Sequence, residues 1–228
     1  MKIITLNKRI LIFCLAFVLV TASFFVGFTA AASPAVTANG MTVVIDAGHG
    51  GRDGGVKGVT GAEESGINLA ISKSLRHFLR EAGYKVVMTR ENADGLYGNV
   101  TSGFKRADMT ARKDIINEAE PDLIISVHQN SFPQKEYRGA QVFFAPNSEG
   151  GREMGDKMQS VLNGALPASD RVAKGGDFYI LQCTQYPSLL VECGFLSNYE
   201  DEKLLMSSAY QEKVAYSITV GVRLILEK

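Results

Sequence analysis

Short uncharged runs rich in Val, Ile and Leu recur along this chain, separated by segments in which apolar residues return every three or four positions. The runs predict six short strands: Thr42 to Asp46, Lys85 to Thr89, Asp122 to Val127, Ala140 to Ala145, Phe178 to Leu181 and Leu189 to Glu192. Between the first two, Ile67, Ala70, Ile71, Leu75, Phe78 and Leu79 form the apolar stripe of a helix over Glu64 to Ala82, which Gly83 would stop. Further helices are predicted at Lys105 to Ala119, Gly150 to Asn163 and Tyr210 to Leu226. Strands alternating with helices in this way predict an α/β fold, with one six-stranded sheet carrying a layer of helices on each face.

The first 33 residues follow another pattern. Lys2, Lys8 and Arg9 precede a run from Ile10 to Ala32 that holds no charge. Its 23 residues exceed the roughly 7–15 of a removable export signal and approach the roughly 20 that cross a bilayer. Residues 1–33 are therefore expected to be a signal peptide, with Ala30 to Ala32 before the cleavage point, or an uncleaved N-terminal membrane anchor that gives membrane contact through residues 10–32. Either places the remainder outside the cytoplasm. A Ser/Pro/Ala/Thr linker at 34–40 then leads into one domain, 41–228, long enough to bury a sizeable core.

Composition narrows the function. The formal charge is zero overall and becomes slightly acidic once the three basic residues of the leader are set aside. No cluster of Lys and Arg with interleaved aromatics is present, which argues against a nucleic-acid partner. Of three cysteines, Cys14 lies in the leader, and Cys183 and Cys193 read as small buried hydrophobes, with a mutual disulfide as the second reading.

Two of the three histidines close apolar runs, His49 in VVIDAGHGG and His128 in LIISVHQNS, and a third run, SLLVECGFLSN, carries Glu192 at the same relative place. Open α/β sheets put their sites at such strand ends. A hydrolytic metal site needs about three His, Asp or Glu ligands and a separate carboxylate to take a proton. His49 and His128 are the candidate nitrogen ligands, and Glu64 or Glu63, at the start of the first helix, the candidate carboxylate. These acids also suit a helix N-terminus without any metal. Asp46 either orients an imidazole or accepts backbone hydrogen bonds at its strand end. Glu192, closing an apolar run, needs a cation or an arginine such as Arg90 or Arg112 to stay ionised. His77, in mid-helix, reads as solvated. Arg90 and Arg112 read as structural pairing residues, and Gln129 and Asn130 as amides bonded to backbone. The glycines of GHGGRDGG fit neither nucleotide-binding fingerprint and read as a tight turn that aims His49 into a cleft.

VVIDAGHGG, Glu64 four residues before Asn68-Leu69, Met-Thr-Arg90, the stretch from Arg112 through Asn117 to LIISVHQNS, and LLVECGFLSN occur in that order. Together they resemble the zinc-dependent N-acetylmuramoyl-L-alanine amidases of bacterial cell-wall turnover, over residues 42–226. Ser65 stands where the family often has Lys, and the spacing to Asn68 favours Glu64 over Glu63. The resemblance implies a three-layer α/β/α sandwich around a mostly parallel, mixed sheet. It also implies one zinc ion held by His49, Glu64 and His128, with Glu192 as the catalytic carboxylate. The bond cut would be the amide between the lactyl group of muramic acid and L-alanine in peptidoglycan. A leader followed directly by a compact domain is similar to the germination-specific amidases of endospore formers. That implies action on spore cortex, as a step toward muramic lactam, in the forespore intermembrane space or cortex. A membrane- or wall-associated partner is expected to position or activate the domain. A vegetative wall amidase, a zinc peptidase of the stem peptide and an inactive wall-binding or activator protein are the competing expectations.

Overall fold

The computed structural model describes residues 40–146 and 148–227, so the leader and the readings that rest on it lie outside the described residues. Among the described residues no helix is long and apolar enough to cross a membrane. Six strands, β1 (Thr42–Ala47), β2 (Lys85–Met88), β3 (Leu123–Asn130), β4 (Gln141–Phe144), β5 (Lys174–Gly175) and β6 (Ser188–Phe195), form one sheet in the order β2-β1-β3-β6-β4-β5. β1 pairs in parallel with β2 and β3, and β3 with β6, while β4 runs antiparallel to β6 and parallel to β5. The helices are α1 (Glu64–Glu81), α2 (Phe104–Ala119), α3 (Glu149–Ala165), α4 (Tyr179–Gln182), α5 (Tyr199–Leu205) and α6 (Ser208–Leu226).

Strand alternation sorts the core into two halves. Val43, Ile45, Ile125 and Val191 join Leu75 and Leu79 of α1, Leu162 of α3 and Ile218 of α6 in the larger cluster. Val44, Ile124 and Leu190 point the other way, onto Ile116 of α2 and Ile180 and Leu181 of α4. The expected three-layer arrangement is present, with one helical layer thinner than the other.

The fifth expected strand, Phe178 to Leu181, is not a strand. Ile180 and Leu181 are adjacent and both buried, which one helical turn allows and a two-sided strand alternation against a single core does not. The run forms α4 instead, and the two-residue β5 supplies the outer strand. Helix α5, unmarked by any long apolar stripe, is started by Asn198, whose side chain accepts from the backbone N–H of Glu200 and Asp201.

What holds the sheet's upper end is a set of buried charges. Asp46, on β1, accepts hydrogen bonds from Arg112 Nη1 at 2.6 Å, Thr89 Oγ1 at 2.8 Å and Ser126 Oγ at 2.7 Å. Arg112, 1% exposed, also donates to Asp108 at 2.6 Å and to the carbonyls of Ala47 at 2.8 Å and His49 at 2.6 Å. Arg90 donates to the carbonyls of Ala47 and Gly48, both at 2.9 Å, and of Ser65 at 2.8 Å. Two arginines thus fix three successive carbonyls where β1 ends.

Burial alone would raise the Asp46 carboxyl, but the Arg112 charge and the Ser126 hydrogen bond outweigh it and hold it down at about 2, against an ordinary 3.8. A carboxyl depressed on folding adds stability that is present above its ordinary value and lost as pH falls toward the depressed one. Asp46→Asn is expected to lower stability by about 3–5 kcal/mol at neutral pH, because Arg112 stays buried without its carboxylate. In urea titrations the gap between wild type and variant should narrow by about 2 kcal/mol as pH falls from 3.8 to about 2. A gap constant across that range would contradict the ion pair.

Candidate metal centre and active site

β1, β3 and β6 run parallel, so their C-terminal ends deliver the residues that follow them to one edge of the sheet. His49 comes two residues after β1 and has φ of 61°, a left-handed conformation uncommon for a side chain of this size. The bond from Arg112 to its carbonyl holds it there. Its Nδ1 donates to Asp53 Oδ2 at 3.0 Å, and its Nε2 lies 3.2 Å from Glu64 Oε2. Glu64, the first residue of α1, is 2% exposed. Its Oε1 lies 3.0 Å from Nδ1 of His128 and accepts from the backbone N–H of Gln129 at 3.1 Å, while Oε2 accepts from that of Val56 at 2.9 Å.

His49, Glu64 and His128 each offer a ligand atom, and these atoms lie within 4.8 Å of one another. Glycine makes that crowding possible. A Cβ on Gly48 would stand 2.2 Å from the His128 ring, and one on Gly55, whose φ is 72°, would stand 2.4 Å from Glu64 Oε2.

Glu192 is the Cα partner of His128 across the β3/β6 ladder, so both side chains leave the sheet on the same side. They line a cavity of about 330 Å³ with His49, Glu64, Asp53 and Lys105. Tyr97, Phe104, Phe178 and Ile180 form an apolar wall of the same cavity, so the short helix α4 belongs to the site. Glu192 Oε2 is buried without a hydrogen-bond partner among the described residues.

The two glutamates are held in opposite electrostatic conditions. Burial works to raise Glu64, but hydrogen bonds from both imidazoles overcome it and keep the carboxyl well below its usual range. Burial pushes His49 down, yet the Glu64 and Asp53 carboxylates carry it up to about 9. For Glu192 burial wins: it lifts the carboxyl to about 7, with the Glu64 charge adding to the rise and the two imidazoles only partly opposing it.

Two imidazoles and one carboxylate make a donor set suited to a catalytic divalent ion, with a separate, unpartnered carboxylate facing the same cavity. The residues fit such an ion on chemistry as well as spacing.

The other candidates fall outside the cluster. Glu63 is exposed and pairs with Lys57 at 3.7 Å. His77 is exposed, as expected, with Glu81 3.8 Å away one turn on. Asp46 neither orients an imidazole nor accepts from backbone, because Arg112, Thr89 and Ser126 occupy its oxygens. Neither arginine pairs with Glu192: Arg112 binds Asp46 and Asp108, and Arg90 binds backbone carbonyls. Gln129 bonds through its side chain to Asn68 Oδ1 at 3.1 Å, and Asn130 Oδ1 accepts from the Ser131 N–H at 2.7 Å. Cys183 and Cys193 are free thiols. Asp53 and Lys105 were not anticipated; the one available signal was an acid four residues after His49 in a glycine-rich loop.

A family profile for N-acetylmuramoyl-L-alanine amidases matches residues 43–223. The germination-specific N-acetylmuramoyl-L-alanine amidase of Bacillus subtilis (strain 168) is 35% identical over 188 residues, 81% of this chain and 79% of that protein. Among solved structures, the CwlD amidase from Clostridioides difficile, in complex with the GerS lipoprotein, superposes with a TM-score of 0.78 at 35% identity, over 82% of this chain and 98% of that one. The catalytic domain of CwlV, an amidase from Bacillus (Paenibacillus) polymyxa var. colistinus, gives 0.73 at 26%, over 82% and 98%. A profile match across most of the chain, together with these likenesses, shows that the chain belongs to the N-acetylmuramoyl-L-alanine amidase family and is a hydrolase of that class.

Proposed function

We propose that His49, Glu64 and His128 hold one zinc ion, and that Glu192 moves the proton in hydrolysis of the amide between muramic acid and L-alanine in peptidoglycan. The observation that carries this reading is that Glu192, whose Oε2 is buried without a hydrogen-bond partner among the described residues, lines the cavity shared with the three candidate ligands. Zinc would supply a Lewis acid for the scissile carbonyl and would acidify the attacking water. Glu192, whose carboxyl burial raises and a bound cation would draw back down, would take a proton from that water and return it to the leaving nitrogen of L-alanine. Glu64, already ionised, brings a permanent negative charge to the ion. The apolar wall of Tyr97, Phe104 and Phe178 limits water around the reacting amide.

The substrate we infer is spore-cortex peptidoglycan, processed toward muramic lactam, because a relative at 35% identity is named as germination-specific. Residues 1–33, as signal peptide or anchor, would place the domain on the outer face of the membrane or in the wall. The lipoprotein in complex with CwlD supports the same kind of membrane-associated partner here. A vegetative wall amidase would share the chemistry, and comparing cortex with vegetative peptidoglycan as substrate for the zinc-loaded protein separates the two.

Glu192→Gln should retain zinc yet lose about 10²- to 10⁴-fold in turnover, read as free N-terminal L-alanine released from peptidoglycan and identified by mass spectrometry. Cleavage inside the stem peptide would instead make the protein a peptidase. Gly48→Ala, which drives a methyl into the His128 ring, should weaken zinc binding by about 1–2 kcal/mol, roughly tenfold, in a chelator competition titration. Unchanged affinity would remove His128 from the ligand set.

A further inference from the structure

We propose that Asp53 is the positioning residue for His49, and that Lys105 in turn positions Asp53, a relay running from helix α2 to the metal centre. The inference rests on the proposed zinc site and deepens it.

Asp53 Oδ2 accepts from His49 Nδ1 at 3.0 Å, and Lys105 Nζ lies 3.1 Å from Asp53 Oδ1, so both carboxylate oxygens are occupied by different partners. A proton fixed on Nδ1 leaves the lone pair on Nε2, the nitrogen that faces Glu64. Without that acceptor the imidazole could carry its proton on either nitrogen and turn about χ2, because its remaining contacts, Glu64 at 3.2 Å from Nε2 and the His128 ring edge-on at 5.0 Å, do not fix the proton on Nδ1.

The loop is built to keep Asp53 in place. Gly50 and Asp53 exchange backbone hydrogen bonds at 2.8 and 3.1 Å, closing a tight turn directly after His49. Gly51 donates to the Ala93 carbonyl at 2.7 Å, and the Arg52 N–H donates to the Tyr97 hydroxyl at 2.6 Å. The Arg52 guanidinium lies over the Tyr97 and Phe104 rings, 4.9 and 4.7 Å from their centroids, and bonds the Val100 carbonyl. The turn after β1 is thus tied to the segment that leads into α2, and Lys105, in the first turn of α2, completes the link at the cavity wall. Lys105 is 68% exposed and Asp53 25%, so neither is needed to fill the core.

The test is zinc affinity by chelator competition, for wild type, Asp53→Ala, Asp53→Asn and Lys105→Met, with thermal unfolding of each zinc-free protein alongside. Asp53→Ala should weaken zinc binding by about 10- to 100-fold. Asp53→Asn, which keeps an acceptor oxygen, should recover part of that loss, and Lys105→Met should cost less than Asp53→Ala. The zinc-free unfolding midpoints should stay close to wild type, and turnover at saturating zinc should fall less than affinity does. Wild-type affinity in Asp53→Ala, or an affinity loss matched by collapse of the zinc-free fold, overturns the proposal. Failure of the wild type itself to bind zinc overturns the metal site first and this relay with it.

Discussion

The buried pairing of Arg112 with Asp46 is the constraint on which the rest of the site depends. An arginine taken out of water is tolerated only when its donors are met, and here Asp46, Asp108 and two backbone carbonyls meet them. One of those carbonyls belongs to His49, so the side chain that neutralises the sheet interior also sets the backbone from which the first candidate ligand projects. Core stability and site geometry are coupled through a single guanidinium.

Charge is distributed around the cavity with a clear division. Glu64 is surrounded by donors, two imidazoles, two backbone N–H groups and the Asn68 amide, and remains ionised even in a buried setting. Glu192, in the same cavity, lacks a donor on one oxygen and is pushed toward neutrality. Two identical residue types are thereby held in opposite charge states by hydrogen bonding and burial alone.

Much of this was legible in the sequence because the informative residues sit on the strongest local signals. β1, β3 and β6 are buried on both faces and read as continuous apolar runs, so the polar residues that close them stood out. The spacing to Asn68 in the family motif favours Glu64 over Glu63, and in the structure Asn68 donates to the Glu64 carboxylate at 3.1 Å. Phe178 to Leu181 misled because a four-residue apolar run has no period to distinguish one turn of helix from a strand. Asp46 misled because its partners, Thr89, Arg112 and Ser126, are 43, 66 and 80 residues away, and only folding brings them together. Asp53 escaped for a different reason: its contact with the His49 ring comes with a left-handed backbone at His49 that no local pattern announces.

The direction of β1 has a consequence for how the molecule meets a polymer. Its first residue, Thr42, lies at the foot of the sheet, where the preceding Met41 carbonyl accepts from Lys85 and the end of α6 closes in through the bond from the Tyr84 hydroxyl to Glu227. His49 lies at the head, and six strand residues at roughly 3.3 Å each put about 20 Å between the two ends. The first described residues and the candidate metal centre therefore lie at opposite ends of β1. A polymer met at the head of the sheet would leave the foot, where Lys85 and Glu227 lie, clear of it.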